Sequence, residues 1–443
     1  MSTRTIRVVI GKNFGDEGKG LAVDYFCSRA PRTLVVKHNG GAQAGHTVEQ
    51  SGRRFVFRQL SAGSFRRSDT LWARTYYPDL YKLREEEEEF AAVAGFRPMV
   101  WSDAAAPVTL IDDVLINQFL ETRRGAARHG SCGMGIYEAT LRTKAGLGLT
   151  VGDIVSENTV SLTARILQIR REYTRKRIAE AVAAVASENE RADGGRSTAE
   201  AGSMTNGCVT AGVSSGSVTA EEILRQGLPG AEYLEMLQSD EIVENYAEEM
   251  LRNAAKYVSV AEDVGVLLRS SENIVFESGQ GLLLDENNRR FAPHISASKT
   301  GLANPVMILA EHGLAPTEAV YVTRSYVTRH GAGPLPYECT REELGIAASD
   351  ATNVDNPWQG AIRYATHGTP EEFTEPVRED LKSCRGSVCA SLFMTHLDET
   401  DGCVLTANGP EEHGIFRGRS EIRDVFGAGY AVFGREAGDV VRQ

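Results

Sequence analysis

The feature that most constrains the fold is a rhythm of short apolar runs flanked by glycine, set between stretches long enough for helices. The runs are Val8–Ile10, Thr33–Val36, Val108–Ile111, Asn273–Phe276, Ala319–Val322 and Val388–Met394, and helical stretches cover Leu80–Ala94, Val114–Arg124 and Ala164–Ala186. Strands that alternate with helices along a whole chain predict an α/β fold with a central, mostly parallel, twisted sheet flanked by helices. The run Glu85–Glu89 reads as a solvated helix face rather than a metal site.

A chain of 443 residues has room for two or three average domains or for one large one. With 42% hydrophobic and 24% charged residues it should bury a substantial core. The segment Ser187–Thr219 differs: it is rich in Ser, Gly, Thr and Ala and nearly free of large apolar residues, so it reads as a low-complexity surface insertion. A formal net charge of −12 argues against a generally basic nucleic-acid surface and leaves small anionic ligands to local clusters. Seven scattered cysteines without zinc-type spacing suggest a reduced, cytoplasmic protein. The opening "MSTRTIRVVIGK" has no signal-peptide apolar region, and no run of eighteen apolar residues occurs, so a membrane role is not expected.

Five loops carry residues suited to chemistry. "VVIGKNFGDEGKGLAVDYF", Val8–Phe26, runs from a strand through Gly11, Gly15, Gly18 and Gly20 into a helix. Glycine loops at helix N-termini bind phosphate through backbone N–H groups, yet Asp16 and Glu17 sit inside this one. It is not a Walker A loop, because Asn13 and Gly20 replace the glycine and the hydroxyl that pattern needs. It is therefore a broken phosphate loop or a device that needs a base beside a phosphate. "VVKHNGGAQAGHTVE" brings Gln43, Gly45, His46 and Thr47 to the C-terminal end of a strand, where α/β proteins collect ligands. "RHGSCGMGIYEA" offers Ser131 and Cys132 in a candidate anion nest, and "IVFESGQGLLLDENN" ends a strand in Ser278, Gly279 and Gln280. "LFMTHLDETDG" delivers Thr395, His396 and Asp398, and a carboxylate there can accept from both the ring N–H and the amino group of guanine.

Taken in order, "GDEGKG" (Gly15–Gly20), "GGAQAGHT" (Gly40–Thr47), "GSCGMGI" (Gly130–Ile136), "VGDI" (Val151–Ile154), "FESGQGLLLD" (Phe276–Asp285), "TRHGAGPLP" (Thr328–Pro336) and "THLDETDG" (Thr395–Gly402) resemble the adenylosuccinate synthetases. The resemblance implies one large α/β domain over 1–443, a homodimer, and a GTP- and Mg2+-dependent ligation of aspartate to C6 of inosine monophosphate. It implies that Asp16 takes the N1 proton and ligates Mg2+, that Gly45 gives Mg2+ a backbone oxygen, and that His46 helps move the γ-phosphoryl group to O6. It places Gln280 on the purine, Gly18, Lys19 and Gly20 with Glu17 in the GTP phosphate loop, and Thr47, Thr395, His396, Asp398 and Gly434 in the GTP site. The chemistry fits these residue types: an amide oxygen leaves poorly until it is phosphorylated, which calls for a base, a cation and a proton-bearing group beside it.

The substrate side departs from the family pattern. Gln43, Ser131 with Cys132, and Ser296 stand where the family usually has asparagine, two threonines and threonine around the 5′-phosphate. Arg142 is the nearest candidate for the arginine that reaches the partner subunit's site. In "DNPWQGAIRY", Asp355–Tyr364, Ala361 replaces the first arginine of the aspartate loop and Arg363 remains, with Arg329 as a compensating candidate. Aspartate loses a charge-assisted pair there, so the alternatives are the same chemistry on a changed purine or amine, or a GTP-binding regulatory homologue without turnover.

Overall fold

The computed structural model describes residues 4–125, 128–183, 219–346, 358, 360–384, 386 and 388–443. Its centre is a ten-stranded sheet. Across it the strands run Val440–Arg442, Ala428–Val432, Cys389–Thr395, Glu318–Arg324, Thr5–Gly11, Asn273–Gly281, Leu34–Lys37, Asp69–Trp72, Val100–Asp103 and Ser259–Ala261. All pairs are parallel except at one edge, where Val440–Arg442 runs antiparallel to its neighbour. The α/β class expected from the alternation of runs is the one observed.

The apolar runs are continuous because both faces of the sheet are covered. Val9, Val35, Val275, Val320 and Phe393 enter one apolar cluster, while Val8, Ile10, Val36, Phe276, Tyr321 and Met394 enter another on the opposite side. The two-residue period of a strand divides each run between these layers. Parallel strands deliver all their C-terminal loops to one edge, and four of the five glycine-rich loops emerge there.

Some expectations are corrected. Val108–Ile111 is not a strand: the N–H groups of Val108 and Thr109 donate to the Leu149 and Pro78 carbonyls, and the helix Ile111–Arg124 begins at its end. An apolar run of four cannot by itself distinguish a strand from a buried lead-in to a helix. The third helical stretch is an α-helix over Thr159–Ile169 that passes through a π-turn at Arg170–Thr174. The predicted insertion 187–219 lies outside the described residues except for Thr219, whose hydroxyl caps the helix Ala220–Gln226. Among the described residues no helix is long and apolar enough to cross a membrane.

The acidic run is not uniformly solvated either. Within the helix Leu83–Ala94, Glu85, Glu88 and Glu89 face solvent, but Glu86 and Glu87 are buried. Glu86 accepts from the backbone N–H groups of Arg58, Gln59 and Leu60, which ties the helix to the end of the strand Arg53–Phe57. Glu87 has no hydrogen-bond partner for either oxygen, and burial, with Glu86 adding to it, pushes its pKa up to about 7. An acid whose pKa rises on folding stabilises the fold while protonated, and that stability is lost as pH climbs from the unfolded value through the folded one. Glu87→Gln keeps the shape without the charge. It should leave stability nearly unchanged at pH 5 and raise it at pH 8 by about 1 to 3 kcal/mol; urea unfolding at both pH values checks this, and a pH-independent difference would contradict it.

Candidate functional site

Glu17 answers what a second acid does in a phosphate loop. It is buried, and its Oε1 accepts from the backbone N–H groups of Asn13 (2.8 Å) and Gly15 (3.0 Å) while its Oε2 accepts from Lys19 Nζ (3.0 Å). The carboxylate thus satisfies the inward N–H groups of the turn and holds the lysine at its mouth. Glu17, expected in the GTP site, stands in the phosphate loop with its carboxylate engaged by the loop itself. Asp16, one residue earlier, adopts a left-handed backbone (φ 59°), its carbonyl accepts from Arg324 Nε, and its carboxylate stays partly exposed. Asp tolerates this conformation better than most residues, and it turns the two neighbouring acids to different tasks.

His46 begins the hairpin His46–Gln50/Arg53–Phe57, whose start lies against the first turn of the helix Lys19–Arg29 at Gly20. Its Nδ1 is hydrogen-bonded to Glu277 Oε1. Parallel register sets Glu277 directly beside Lys37, whose ammonium lies 3.6 Å from the same oxygen, and Ala62 N–H donates to the other. Burial alone would raise the Glu277 pKa, but Lys37, His46 and the Ala62 N–H outweigh it and hold the carboxyl at about 2. Burial lowers the His46 pKa against the pull of Glu277. An ionised Glu277 fixes the hydrogen on Nδ1 and leaves Nε2 to face the site.

The loops close into a circuit. A side chain on Gly281 would stand 2.6 Å from Gly15 N, and one on Gly40 would stand 2.7 Å from Gln280 Nε2 and 2.5 Å from Gln43 Nε2. Likewise Gly41 meets Ile136 at 2.6 Å and Gly130 meets Ala332 N at 2.7 Å. His330 Nε2 lies 3.9 Å from Asp16 Oδ2 and returns the circuit to its start. Buried atoms without hydrogen-bond partners occur on this circuit: Gln43 Oε1, His46 Nε2, Thr47 Oγ1 and His330 Nδ1. Unpaired buried polar atoms are rare in folded proteins, and a cluster of them at the C-terminal edge of a parallel sheet marks a binding site for a polar molecule.

Other expected residues fall around it. Gly18 packs on Thr395, whose hydroxyl donates to the Glu17 carbonyl (2.8 Å) and meets His396 Nδ1 (2.7 Å). Asp398 is exposed on the turn Leu397–Thr400, and Gly434 follows the neighbouring strand Ala428–Val432, so both occupy the same sheet edge. Ser131 Oγ accepts from Asn117 Nδ2, burial raises the Cys132 thiol to about 11, and Ser296 Oγ pairs with Ser298 Oγ. Arg329 and Arg363 are directly opposite on adjacent antiparallel strands. Arg329 donates to the Pro334 and His294 carbonyls, Arg363 to Glu338 and the Gly333 carbonyl, and the Nε of each is buried without a partner. Arg142 corrects its expectation: it is wholly buried, with its fork on Asp113 and its remaining N–H groups on the Leu147 and Val108 carbonyls, so nothing of it can reach a second subunit. In "DNPWQGAIRY" the residues 355–357 and 359 lie outside the described residues.

Lys37, Glu277 and His330 were missed by the sequence reading. The available signal was a charged residue closing an apolar strand, "LVVK" and "IVFE". Replacing Glu277 by Gln leaves Lys37 buried without a counter-ion and should cost about 3 to 5 kcal/mol. Adding Lys37→Met should recover part of that loss. A denaturant double-mutant cycle checks it, and strictly additive losses would contradict the pairing.

The family model described as adenylosuccinate synthetase matches residues 8–204 and 216–354. Curated adenylosuccinate synthetases are similar over three quarters of the chain: that of Teredinibacter turnerae is 26% identical over 348 residues, covering 76% of this chain and 67% of its own length. That of Edwardsiella ictaluri is 27% identical over 337 residues, covering 75% and 64%. The chain thus spans about two thirds of the length of these relatives. Among solved structures, fully ligated adenylosuccinate synthetase from Plasmodium falciparum aligns over 99% of this chain and 100% of its own, with a TM-score of 0.67 at 13% identity. Cyanophage S-2L succinoaminodeoxyadenylate synthetase, bound to dGMP and to dATP as an energy donor, covers 99% and 95% with a TM-score of 0.57 at 15% identity. At such identities these two structures speak to the fold alone.

Proposed function

The chain belongs to the adenylosuccinate synthetase family, and from that premise we propose that it is a GTP- and Mg2+-dependent C–N ligase. In this reading it phosphorylates the 6-oxygen of inosine monophosphate or a related 6-oxopurine nucleotide and replaces it with an amine, aspartate first among the candidates, releasing GDP and phosphate. The observation that carries the reading is the circuit of loops, which holds the unpartnered Gln43 Oε1, His46 Nε2 and Thr47 Oγ1 and closes on the Asp16 carboxylate through His330.

Asp16 takes the N1 proton and so develops negative charge on O6, which attacks the γ-phosphorus of GTP. Lys19 and the N-terminus of the helix Lys19–Arg29 bear on the phosphates. His46, whose Nδ1–H is held by Glu277, would donate from Nε2 to the phosphoryl oxygens once that nitrogen takes up a proton, a charge that the ionised Glu277 favours. The incoming amine then adds at C6 and phosphate departs. Asp16 and the Gly45 carbonyl are hard oxygen donors, a set suited to a Mg2+ that also takes phosphate oxygens and water. When bound, the ion would neutralise charge on the transferring phosphoryl group.

Support for an acidic amine comes from Arg329 and Arg363. Like charges directly opposite on paired strands repel, and burial, then Arg363, lowers the Arg329 pKa to about 10. A carboxylate shared by the two unpartnered Nε–H groups would relieve both costs. A homodimer also belongs to this reading, with some residue other than Arg142 crossing the interface.

The test is a mass-spectrometric screen of purified protein with GTP, Mg2+, 6-oxopurine nucleotides and amino acids, since a product mass names both halves. Asp16→Asn should lower turnover by about a thousandfold or more while GTP affinity changes little, because the base that takes the N1 proton is removed. Absence of GTP-dependent phosphate release with every nucleotide and amine pair would sink the proposal.

A further inference from the structure

His330 has no role in the reaction as outlined above, yet it ends the strand Val327–His330 at the point where the circuit closes. Two geometric facts single it out. Its Nε2 faces the Asp16 carboxylate at 3.9 Å, too long for a hydrogen bond but close enough to orient the ring. Its Nδ1 is buried and has no hydrogen-bond partner. Directly after it in the chain Gly331 and Ala332 lie against Gly130, next to Ser131 and Cys132, so the segment that carries the imidazole adjoins the loop of the candidate phosphate nest.

The two nitrogens have different partners available. With its hydrogen on Nε2, toward the negative carboxylate, the neutral ring presents Nδ1 as an acceptor. An acceptor buried without a partner calls for a donor from a bound molecule. We propose that His330 is a specificity-determining residue whose Nδ1 accepts a hydrogen bond from the purine nucleotide held at Asp16. The donor is a sugar hydroxyl or a 2-amino group of the base. The inference rests on the reading of the site given above and adds a determinant of which nucleotide the site prefers.

Side-chain isosteres separate the two ring positions. Asn places an amide oxygen near the Nδ1 position, Gln places its amide near Nε2, and Leu supplies neither. The experiment measures nucleotide Kd by calorimetry, and KM and kcat by turnover, for wild type, His330→Asn, His330→Gln and His330→Leu. The nucleotides are inosine monophosphate, its 2′-deoxy analogue and guanosine monophosphate, and GTP affinity serves as the check of folding.

Loss of one such hydrogen bond should raise nucleotide Kd and KM roughly tenfold in Gln and Leu. Asn should restore most of it, and kcat should change less than threefold. The preference of wild type for the nucleotide that carries the donor should vanish in Leu: loss of the ribose-over-deoxyribose ratio names the hydroxyl, and loss of the guanine-over-hypoxanthine ratio names the amino group. Equal nucleotide affinities in all four proteins overturn the inference and leave the proposed function standing. A wild type that binds GTP but no second purine nucleotide overturns both.

Discussion

Glu277 is the group on which the site's geometry depends. It closes the apolar run of a central strand, so its backbone is fixed by neighbours on both sides, and its carboxylate meets Lys37, His46 and the Ala62 N–H. An ionised carboxylate in such a place is costly unless each oxygen is matched. Here the matching groups come from a neighbouring strand, the start of the hairpin and the loop after it. The same contacts that make the charge tolerable hold His46 in one orientation and press the hairpin onto the first turn of the helix Lys19–Arg29. Stability and site geometry are therefore one requirement at this position, and an imidazole set by packing need not be ordered when a ligand arrives.

How much was legible follows from the range of the interactions. Val8–Ile10 or Ala319–Val322 could be read as strands because an uninterrupted apolar run between glycines is a local signal. Asp69–Trp72 and Ser259–Ala261 could not, since "DTLW" and "SVA" mix polar and small residues and owe their pairing to strands already in place. Val108–Ile111 misled because burial, not strand pairing, made it apolar. Asp16, Lys19, His46 and Gln280 could be singled out because their loops carry motif-like spacing. Glu277 and Lys37 were not, because a buried ion pair is a contact between residues 240 positions apart, and neither residue type announces its partner. Arg142 shows the converse. An arginine near the right motif looked available, but Asp113, 29 positions earlier, takes its fork.

The two adjacent acids of "GDEGKG" show how one loop can carry opposed charges beside phosphates. A phosphate and Glu17 both draw on Lys19, so Glu17 lowers what the lysine contributes to phosphate affinity. What it gives in return is a formed turn. Without a carboxylate to accept from them, the N–H groups of Asn13 and Gly15 would be buried and unpaired, each costing about 1 to 3 kcal/mol. With Glu17 satisfying that side, Asp16 can hold a left-handed backbone and keep its carboxylate partly exposed. In a chain whose net charge is −12, anions are attracted only where local cations and helix dipoles outweigh the rest. A loop that neutralises its own lysine until a stronger anion arrives would favour a polyphosphate, which brings several charges at once, over a single phosphate that brings at most two.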